Sequence, residues 1–226
     1  MTDSDNSSSP PCPAENAPFG WDTPVFGLTG GIGSGKSTVA QQLASLTRSL
    51  LVSADSLGRK ALTLPHVQEA IVDRWGQSCF RRNGTLDRAK IASLVFGATP
   101  EAEQNRLFLE SLTHPIISRN IDMEISRGRE LGVDLILLDA PLLFEAGLDR
   151  ICTAVIFVAA SDRVREKRVQ IRGWDPGELK NREKCQISLG EKEKKSQYVI
   201  DNNGSYERMR EQVLLLFTKL MNSNKN

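Results

Sequence analysis

An octapeptide at residues 30–37, with the sequence GGIGSGKS, fits the phosphate-binding pattern G-x-x-x-x-G-K-[ST]. Its glycines leave a concave row of backbone N–H groups, and the positive N-terminal end of the following helix faces the same space, so both attract phosphate oxygens. Lys36 would bring a positive charge to the β- and γ-phosphates, and the Ser37 hydroxyl would be a ligand for Mg²⁺. We expect a nucleoside triphosphate to bind here, at Gly31, Gly33, Ser34, Gly35, Lys36, Ser37 and Thr38.

Two aspartates follow apolar runs and offer carboxylates to the predicted phosphate site. Asp139 ends the run LILLD and resembles a Walker B residue, which orients Mg²⁺ directly or through water. Asp55 follows the run LLVSA, and ligands of open α/β folds bind at the carboxyl ends of the strands, so we expect both carboxylates at one edge. We predict that Asp139 serves the metal and that Asp55 accepts the proton of an acceptor hydroxyl. The alternative for Asp139 is an aspartate in the turn that ends the strand, with no role in metal binding.

Residues 161–195 form a basic segment, with eleven arginines and lysines against seven acidic residues and a window charge of +4. The sequence GWDPG at 173–177 interrupts it, so the pattern predicts two helices joined by a turn. We interpret the segment as a lid that closes over the triphosphate. Arg168 and Arg172 lie four residues apart and would share a helix face suited to phosphate oxygens. A solvated helix face with ordinary surface arginines is the alternative.

Short apolar segments separated by helical stretches predict the architecture that would position these side chains. Runs this apolar are typical of parallel strands that helices cover on both faces. The predicted fold class is α/β, a P-loop NTPase-type doubly wound parallel sheet with a helical insertion subdomain and a lid. The predicted strands are 25–29, 50–53, 134–138, 154–158 and 198–201.

The domain division follows from composition and turn signals. Residues 1–22 are rich in serine and proline and contain no lysine or arginine, so we expect a disordered tail. Residues 64–132 are predicted to be a helical insertion, in which Asp87 and Thr99 are helix N-caps. One unit is expected over 23–226, with its core at 23–63, 133–160 and 196–226, the insertion at 64–132 and the lid at 161–195.

Composition restricts the class of protein. The 226 residues carry a formal net charge of +1, which argues against a protein that coats nucleic acid, since that needs a broad basic surface. No apolar run approaches the roughly 20 residues that cross a bilayer. We therefore expect neither a nucleic-acid nor a membrane partner. The cysteines, Cys12, Cys79, Cys152 and Cys185, form no C-x-x-C pair, which fits the reducing cytoplasm.

Several motifs, in order along the chain, are similar to those of the dephospho-CoA kinase family. The stretch GLTGGIGSGKST at 27–38 looks like that family's P-loop, and Asp55 with Arg59 matches its second-strand motif. The run DAPLLFEAG at 139–147 resembles its longest diagnostic stretch, and VIDNNG at 199–204 resembles its closing signature. Shorter matches are LDR at 86–88 and LTHPI at 112–116. Together these motifs are far more specific than the P-loop alone.

The resemblance implies an ATP- and Mg²⁺-dependent kinase that phosphorylates the ribose 3′-hydroxyl of dephospho-coenzyme A, giving coenzyme A and ADP in the last step of coenzyme A synthesis. It implies a small-molecule substrate and leaves the oligomeric state open, with a monomer expected. The implied catalytic residues are Lys36, Asp55, Arg168 and Arg172. Arg182 and Gln186 fall in the lid pattern, with Arg182 at the nucleotide, and Ser37 and Asp139 serve the metal.

The resemblance also implies that the insertion 64–132 binds the substrate. It identifies the residues that would contact the acceptor, and the sequence departs from the family pattern at two places. The acceptor would be enclosed by Asp55, Arg59, His114, Leu142, Leu143 and Phe144. His114 precedes Pro115, so capping or packing at a helix start is an equal alternative for it. Ser53 stands where many members have a further aspartate, and Gly173 with Trp174 follows Arg172 where an aspartate is common. These departures leave Asp55 without an acidic neighbour and put the turn of the lid in doubt.

Three other functions compete with this interpretation. A kinase for a nucleoside monophosphate shares the P-loop, insertion and lid, and only acceptor profiling separates it. A GTP-dependent switch is suggested by the D-x-x-G sequence at 55–58, but the guanine-reading N-K-x-D sequence is absent. An ATPase acting on nucleic acid or in transport would need an LSGGQ-like sequence or a basic surface bias, and the chain has neither.

Overall fold

The computed structural model describes residues 23–97, 99–171, 173 and 176–223, and the predicted tail lies outside them. In this part of the chain, five strands form one parallel sheet in the order β2-β3-β1-β4-β5. The strands are β1 Val25–Thr29, β2 Ser49–Ser53, β3 Leu135–Asp139, β4 Ala154–Ala159 and β5 Tyr198–Asp201. Each predicted strand is confirmed to within one residue. Asp139 pairs with Leu28 of β1 and with Ser53 of β2, so these strands end together at one edge.

The central strands alternate their side chains between two helical layers. Leu135 and Leu137 of β3 pack with helices on one face of the sheet, whereas Ile136 and Leu138 pack on the other. Both sets are completely buried. This double covering explains why the strand reads as an unbroken apolar run. The predicted doubly wound class is confirmed.

Nine α-helices occur in the described part of the chain. They are α1 Lys36–Ala44, α2 Ala54–Ala61, α3 Pro65–Trp75, α4 Arg88–Val95, α5 Pro100–Glu130, α6 Asp162–Ile171, α7 Pro176–Glu183, α8 Leu189–Lys195 and α9 Tyr206–Ser223. Helices α1 and α9 cover one face of the sheet, and α2 and α5 cover the other. None of the helices among these residues is both long and apolar enough to span a membrane.

The region 64–132 has a small apolar core of its own and is helical, as expected. Val67, Ile71, Ile91 and Val95 bury their side chains together between α3, α4 and the start of α5. The predicted caps are confirmed: the Asp87 carboxylate accepts hydrogen bonds from two backbone N–H groups at the start of α4, and Thr99 accepts one from Ala102 at the start of α5. The cluster holds this region together beside the sheet.

Pro115 does not mark a helix start. It lies inside the 31-residue helix α5, so the alternative that His114 caps a helix is wrong. Proline removes one backbone donor, but the turns on both sides keep their bonds, and a helix this long tolerates the loss. The alternative is wrong because the packing of α5 against α2, α4 and β2 outweighs the low helix propensity of proline.

The segment 161–195 contains three helices rather than the two predicted, namely α6, α7 and α8. The additional helix, α8, begins with a capping box between Ser188 and Glu191, each of which bonds to the backbone of the other. Gly173 adopts φ +80°, the left-handed region that favours glycine, at the turn after α6. Arg172 lies outside the described residues.

Candidate active site

A cavity of about 510 Å³ opens at the carboxyl edge of the sheet, between the P-loop, helix α5 and the loop that follows α7. It brings together most of the residues predicted from sequence. The lining includes Gly33, Gly35, Lys36, Ser37, Thr38, Asp55, Arg59, His114, Asp139, Leu142, Arg182 and Gln186. Parts of the chain far apart in sequence therefore share one space that is large enough for a small-molecule ligand.

The P-loop is a glycine turn that leads from β1 into α1. Gly33 and Gly35 adopt φ +78° and +91°, which other residues rarely tolerate. Gly35 is also the N-cap of α1, so the positive end of that helix opens on the cavity. Gly31 has a different constraint, because a Cβ atom there would lie 2.8 Å from the guanidinium of Arg165. These glycines are needed for backbone shape and for close approach.

Side chains from the C-terminal third of the chain hold the outer face of the P-loop. Arg168 donates to the carbonyl oxygen of Ser34 at 2.9 Å, and Asn202 donates to the same oxygen at 2.7 Å. Arg165 donates to the carbonyl oxygen of Ile32 at 3.3 Å. Because these carbonyl groups are engaged on the outside, the loop can present its N–H groups to the inside. We call Arg165, Arg168 and Asn202 the P-loop clamp.

Lys36 lies against the loop that precedes it. Its ammonium group donates to the carbonyl oxygens of Gly30 at 3.2 Å and Gly31 at 3.4 Å, and the side chain is almost completely buried. The side chain lines the cavity. A positive charge is thus already placed at the glycine loop, where the phosphates of a nucleotide are expected.

Ser37 and Asp139 meet at the end of β3. The Ser37 hydroxyl donates to Asp139 Oδ2 at 3.0 Å, whereas the buried Oδ1 has no hydrogen-bond partner within the described residues. Burial raises the pKa of Asp139, the Lys36 charge and the Ser37 hydrogen bond lower it, and the Asp55 charge raises it, with a net rise. A hydroxyl beside a carboxylate with an unused oxygen suits Mg²⁺, which takes oxygen ligands from one or two side chains plus substrate phosphates.

Asp55 reaches the cavity from the first turn of α2. The helix begins there because Ser53 is its N-cap and accepts a hydrogen bond from the backbone N–H of Ser56 at 3.3 Å. The departure at Ser53 therefore has a structural role at the helix start. Arg59, one turn further along α2, lines the same cavity. The carboxylate and the guanidinium stand on one helix that packs on α5.

One face of α5 forms the wall opposite the P-loop. Its contributors are spaced three and four residues apart, as one helix face requires: Arg106, Leu109, Glu110, Thr113 and His114. The guanidinium of Arg106 lies 3.7 Å from the Glu110 carboxylate. His114 thus lies where the resemblance implied, in the cavity. The other four residues were not predicted.

The predicted acceptor-binding residues after β3 lie in two different environments. Leu142 lines the cavity. Leu143 is completely buried against Gly27, at a position where a Cβ on that glycine would lie 2.6 Å from the leucine methyl group. The prediction that Leu143 contacts the acceptor does not fit this position, because the side chain fills the core. Phe144 packs on the same core, with the Lys195 ammonium 5.6 Å from its ring, and it is not among the cavity-lining residues.

Helix α7, in the segment predicted to be the lid, ends with residues that contact α6 and the residue after α4. The Arg182 guanidinium lies 4.6 Å from the ring centre of Phe96, and both residues line the cavity. The next residue, Glu183, forms an ion pair with the buried Arg165. Helix α7 is therefore held by a charge pair on one side and by a cation–π contact on the other.

Sequence reasoning missed several residues that shape the site. Arg165 precedes Arg168 by three residues and shares its helix face, which was an available signal. Asn202 falls within the VIDNNG stretch, but its contact with the P-loop joins residues 168 positions apart. Lys192, on α8, is completely buried within the segment predicted to be the lid, and no pattern predicts a buried lysine.

Comparisons with known proteins agree with this geometry. The family model for dephospho-CoA kinase matches residues 24–208. The dephospho-CoA kinase of Carboxydothermus hydrogenoformans is 37% identical over 87% of this chain and 94% of its own length. The dephospho-CoA kinase of Syntrophotalea carbinolica is 39% identical over 87% of this chain and 92% of its own length. The crystal structure of TT1252 from Thermus thermophilus is 33% identical, with a TM-score of 0.71 over 88% of this chain and 97% of that one.

Proposed function

This chain belongs to the dephospho-CoA kinase family, and on that basis we propose how its residues transfer the terminal phosphoryl group of ATP to dephospho-coenzyme A. The acceptor is the ribose 3′-hydroxyl, the products are coenzyme A and ADP, and the reaction is the last step of coenzyme A biosynthesis. The observation that carries the proposal is that one cavity contains the P-loop, Asp55 and Asp139.

Asp55 is the proposed general base. Its carboxylate takes the proton of the 3′-hydroxyl while the hydroxyl oxygen bonds to the γ-phosphorus and the bond from that phosphorus to the β,γ-bridging oxygen breaks. The bond electrons leave with ADP. Support comes from the position of Asp55 on α2, at the cavity and near enough to Asp139 for their charges to interact.

The P-loop and Lys36 are proposed to bind the β- and γ-phosphates. Backbone N–H groups of 31–37 and the N-terminus of α1 would contact phosphate oxygens. Lys36 would exchange its bonds to the carbonyl oxygens of Gly30 and Gly31 for bonds to phosphate oxygens. In phosphoryl transfer, such positioning and neutralisation of charge account for most of the catalysis.

Ser37 and Asp139 are the residues proposed to hold Mg²⁺. The unpartnered Oδ1 of Asp139 and the adjacent hydroxyl provide oxygen ligands, and phosphate oxygens and water would complete the shell. Mg²⁺ held by these two residues would supply positive charge against the negative charge that develops on the transferred phosphoryl group. Burial raises the pKa of Asp139, and the Lys36 charge and the Ser37 hydrogen bond oppose part of that rise.

We propose different roles for the lid arginines. Arg182 lines the cavity and would contact the nucleotide, as the resemblance implied. Arg168 bonds to the carbonyl oxygens of Ser34 and Asn202 at 2.9 Å each, which supports a role in fixing the P-loop. The catalytic role predicted for Arg168 and for Arg172 stays a prediction.

Acceptor profiling tests the proposed function. The purified chain with ATP and Mg²⁺ is expected to convert dephospho-coenzyme A to coenzyme A, with one ADP formed for each coenzyme A. AMP, CMP and shikimate are expected to be much poorer acceptors. A preference for any of these three, measured as kcat/KM, would contradict the assignment.

Location and assembly are also proposals. A cytoplasmic location is supported by the free cysteines Cys79, Cys152 and Cys185. A monomer is also proposed. Light scattering at micromolar concentration is expected to give the mass of one chain, and twice that mass would contradict the monomer.

A further inference from the structure

Lys192 is a completely buried lysine outside the cavity. It lies on α8, and its ammonium group makes three short contacts: 2.6 Å to the carbonyl oxygen of Pro141, 2.9 Å to Gln186 Oε1 and 2.9 Å to Glu145 Oε1. An ammonium group has three N–H donors and no acceptor. These three partners therefore use its full donor capacity, with one carboxylate to balance the charge.

The three partners come from two segments that flank the cavity. Pro141 and Glu145 belong to the loop after β3, and Gln186 belongs to the loop between α7 and α8. Glu145 Oε1 also accepts a hydrogen bond from the backbone N–H of Ile187 at 3.1 Å. Lys192 and Glu145 thus join the two loops in the interior. Pro141 and Gln186 both line the cavity, so a shift of either loop would change the lining.

The contact with Lys192 determines which end of the Gln186 amide is available to a ligand. An amide has one oxygen that accepts and one nitrogen that donates. The oxygen is held by the buried ammonium group, which cannot accept in return. Gln186 Nε2 makes no hydrogen bond to the residues that the structure describes, although Gln186 lines the cavity. The side chain therefore offers donors to this space.

We propose that Lys192 is a positioning residue that fixes Gln186 as a hydrogen-bond donor to a bound substrate, and the inference rests on the proposed function. The atom it recognises is an oxygen or nitrogen acceptor on ATP or on dephospho-coenzyme A. Without the ammonium group, the amide is free to rotate, and the two loops lose their internal link. Small displacements of this kind are costly, since misplacement by about 1 Å lowers rates by about 100-fold.

A double-mutant cycle tests the coupling. Gln186→Ala and Lys192→Met are each expected to lower kcat/KM by about 10- to 100-fold. The double variant is expected to be no worse than the more impaired single variant, because both changes remove the same donor. Losses that multiply would overturn the proposal, as would a Gln186→Ala enzyme with normal kcat/KM. Lys194→Met, at an exposed position on the same helix, is the matched control and is expected to behave like the wild type.

The kinetic constants identify the substrate. KM measured separately for ATP and for dephospho-coenzyme A is expected to rise for the same substrate in both single variants. A loss of packing alone would lower kcat and thermal stability without this match, and that result would contradict the positioning role. Lys192→Met combined with Glu145→Gln removes both charges, so the cycle can be repeated if a lone buried carboxylate prevents Lys192→Met from folding.

Binding measurements separate this inference from the proposed function. Calorimetric Kd values for ADP and for dephospho-coenzyme A, measured one ligand at a time over the same cycle, require no turnover. A wild-type chain that binds but does not phosphorylate dephospho-coenzyme A would end the proposed function, while coupled losses of affinity would still support the role of Lys192. Active wild-type enzyme with independent losses would end the inference alone.

Discussion

The two walls of the cavity are built from different parts of the polypeptide. The P-loop wall consists largely of backbone, shaped by Gly33 and Gly35 in the left-handed region and held from outside by the P-loop clamp. The opposite wall consists of side chains on one face of α5, together with Phe96. Backbone groups have one position once the loop has formed, whereas side chains can rearrange.

This contrast indicates how each wall recognises its ligand. A row of N–H groups suits any phosphate, so the P-loop wall identifies a chemical group shared by all nucleotides. The α5 wall offers a charged pair, Arg106 with Glu110, and the imidazole of His114, which can distinguish one acceptor from another. Discrimination between acceptors is therefore expected to depend on the α5 wall, and substitutions there should change KM for the acceptor more than for ATP.

The largest effect is expected for a substitution of Asp55, which lies on helix α2 and belongs to neither wall. Asp55→Asn removes the proposed base while retaining shape, and it is expected to lower kcat by about 10² to 10⁴-fold with Kd for ATP unchanged. Single-turnover kinetics and calorimetry measure the two quantities. Asp73→Asn, on the insertion, is the control. Near-normal turnover in Asp55→Asn would show that the base is wrong, although the kinase could still use the same cavity.

Lys36→Ala tests the P-loop wall. Loss of the Lys36 charge, which lies against the loop, is expected to lower kcat/KM by about 10² to 10³-fold, because loss of a comparable donor to transition-state charge has an effect of this size. KM for ATP should rise, and KM for dephospho-coenzyme A should change little. Lys60→Ala, at an exposed position on α2, provides a matched loss of charge. An equal rise in the KM values for ATP and for dephospho-coenzyme A would contradict the assignment of the two substrates to different walls.

Asp139→Asn is expected to lower activity and raise stability. Burial holds the pKa of Asp139 above its unfolded value of about 3.9, so the folded state binds the proton more tightly. The free energy of unfolding therefore falls as pH rises from the unfolded pKa to the folded pKa, and then levels. Asparagine does not ionise, so the free energy of unfolding of the variant does not fall in this way as pH rises. Without ligands, the variant is expected to melt above the wild type at pH 7.

Asp134→Asn is the control of opposite sign. Hydrogen bonds from the Thr47 hydroxyl and the Arg48 backbone lower the pKa of Asp134, so its stabilising effect is present above the unfolded pKa and is lost in acid. This variant is expected to melt slightly below the wild type at pH 7. Thermal unfolding from pH 3 to pH 8 measures both variants. A lower melting temperature for Asp139→Asn at pH 7 would contradict the account of its buried charge.

The smallest effect concerns thiol reactivity. Burial raises the pKa of Cys152 to about 12, so its reactive thiolate is scarce at pH 8. Cys185 is partly exposed and lines the cavity. Iodoacetamide is therefore expected to modify Cys185 and spare Cys152, and ATP with dephospho-coenzyme A should slow the first reaction. Peptide mass spectrometry measures both sites, with unfolded protein as the control. Modification of Cys185 at an unchanged rate with both substrates bound would contradict its place in the cavity.

Local features of the fold and site followed from the sequence. The strands, the caps at Asp87 and Thr99 and the P-loop depend on periodicity, side-chain capping and glycine conformation, which are properties of neighbouring residues. Asp55 was expected at the cavity because strand ends share one edge. Each of these inferences needed only a few consecutive residues.

Long-range contacts did not follow from the sequence. Pro115 was read as a helix boundary, but the packing of α5 outweighs the lost hydrogen bond. Leu143 was predicted to contact the acceptor together with its neighbours, whereas its side chain fills the space beside Gly27 in the core. Lys192 has three partners from two distant loops, and their approach depends on the whole tertiary structure. Motif spacing contains none of this information.

The P-loop clamp has a consequence for synthesis of the chain on the ribosome. The glycine loop is complete by residue 37, but Arg165, Arg168 and Asn202, which hold it from outside, are translated much later. A nascent chain that ends before α6 contains the whole motif without any of these three groups, and one that ends before β5 still lacks Asn202. Nucleotide affinity is therefore expected to develop late in translation, so that the unfinished polypeptide does not retain ATP while its sheet is still being assembled.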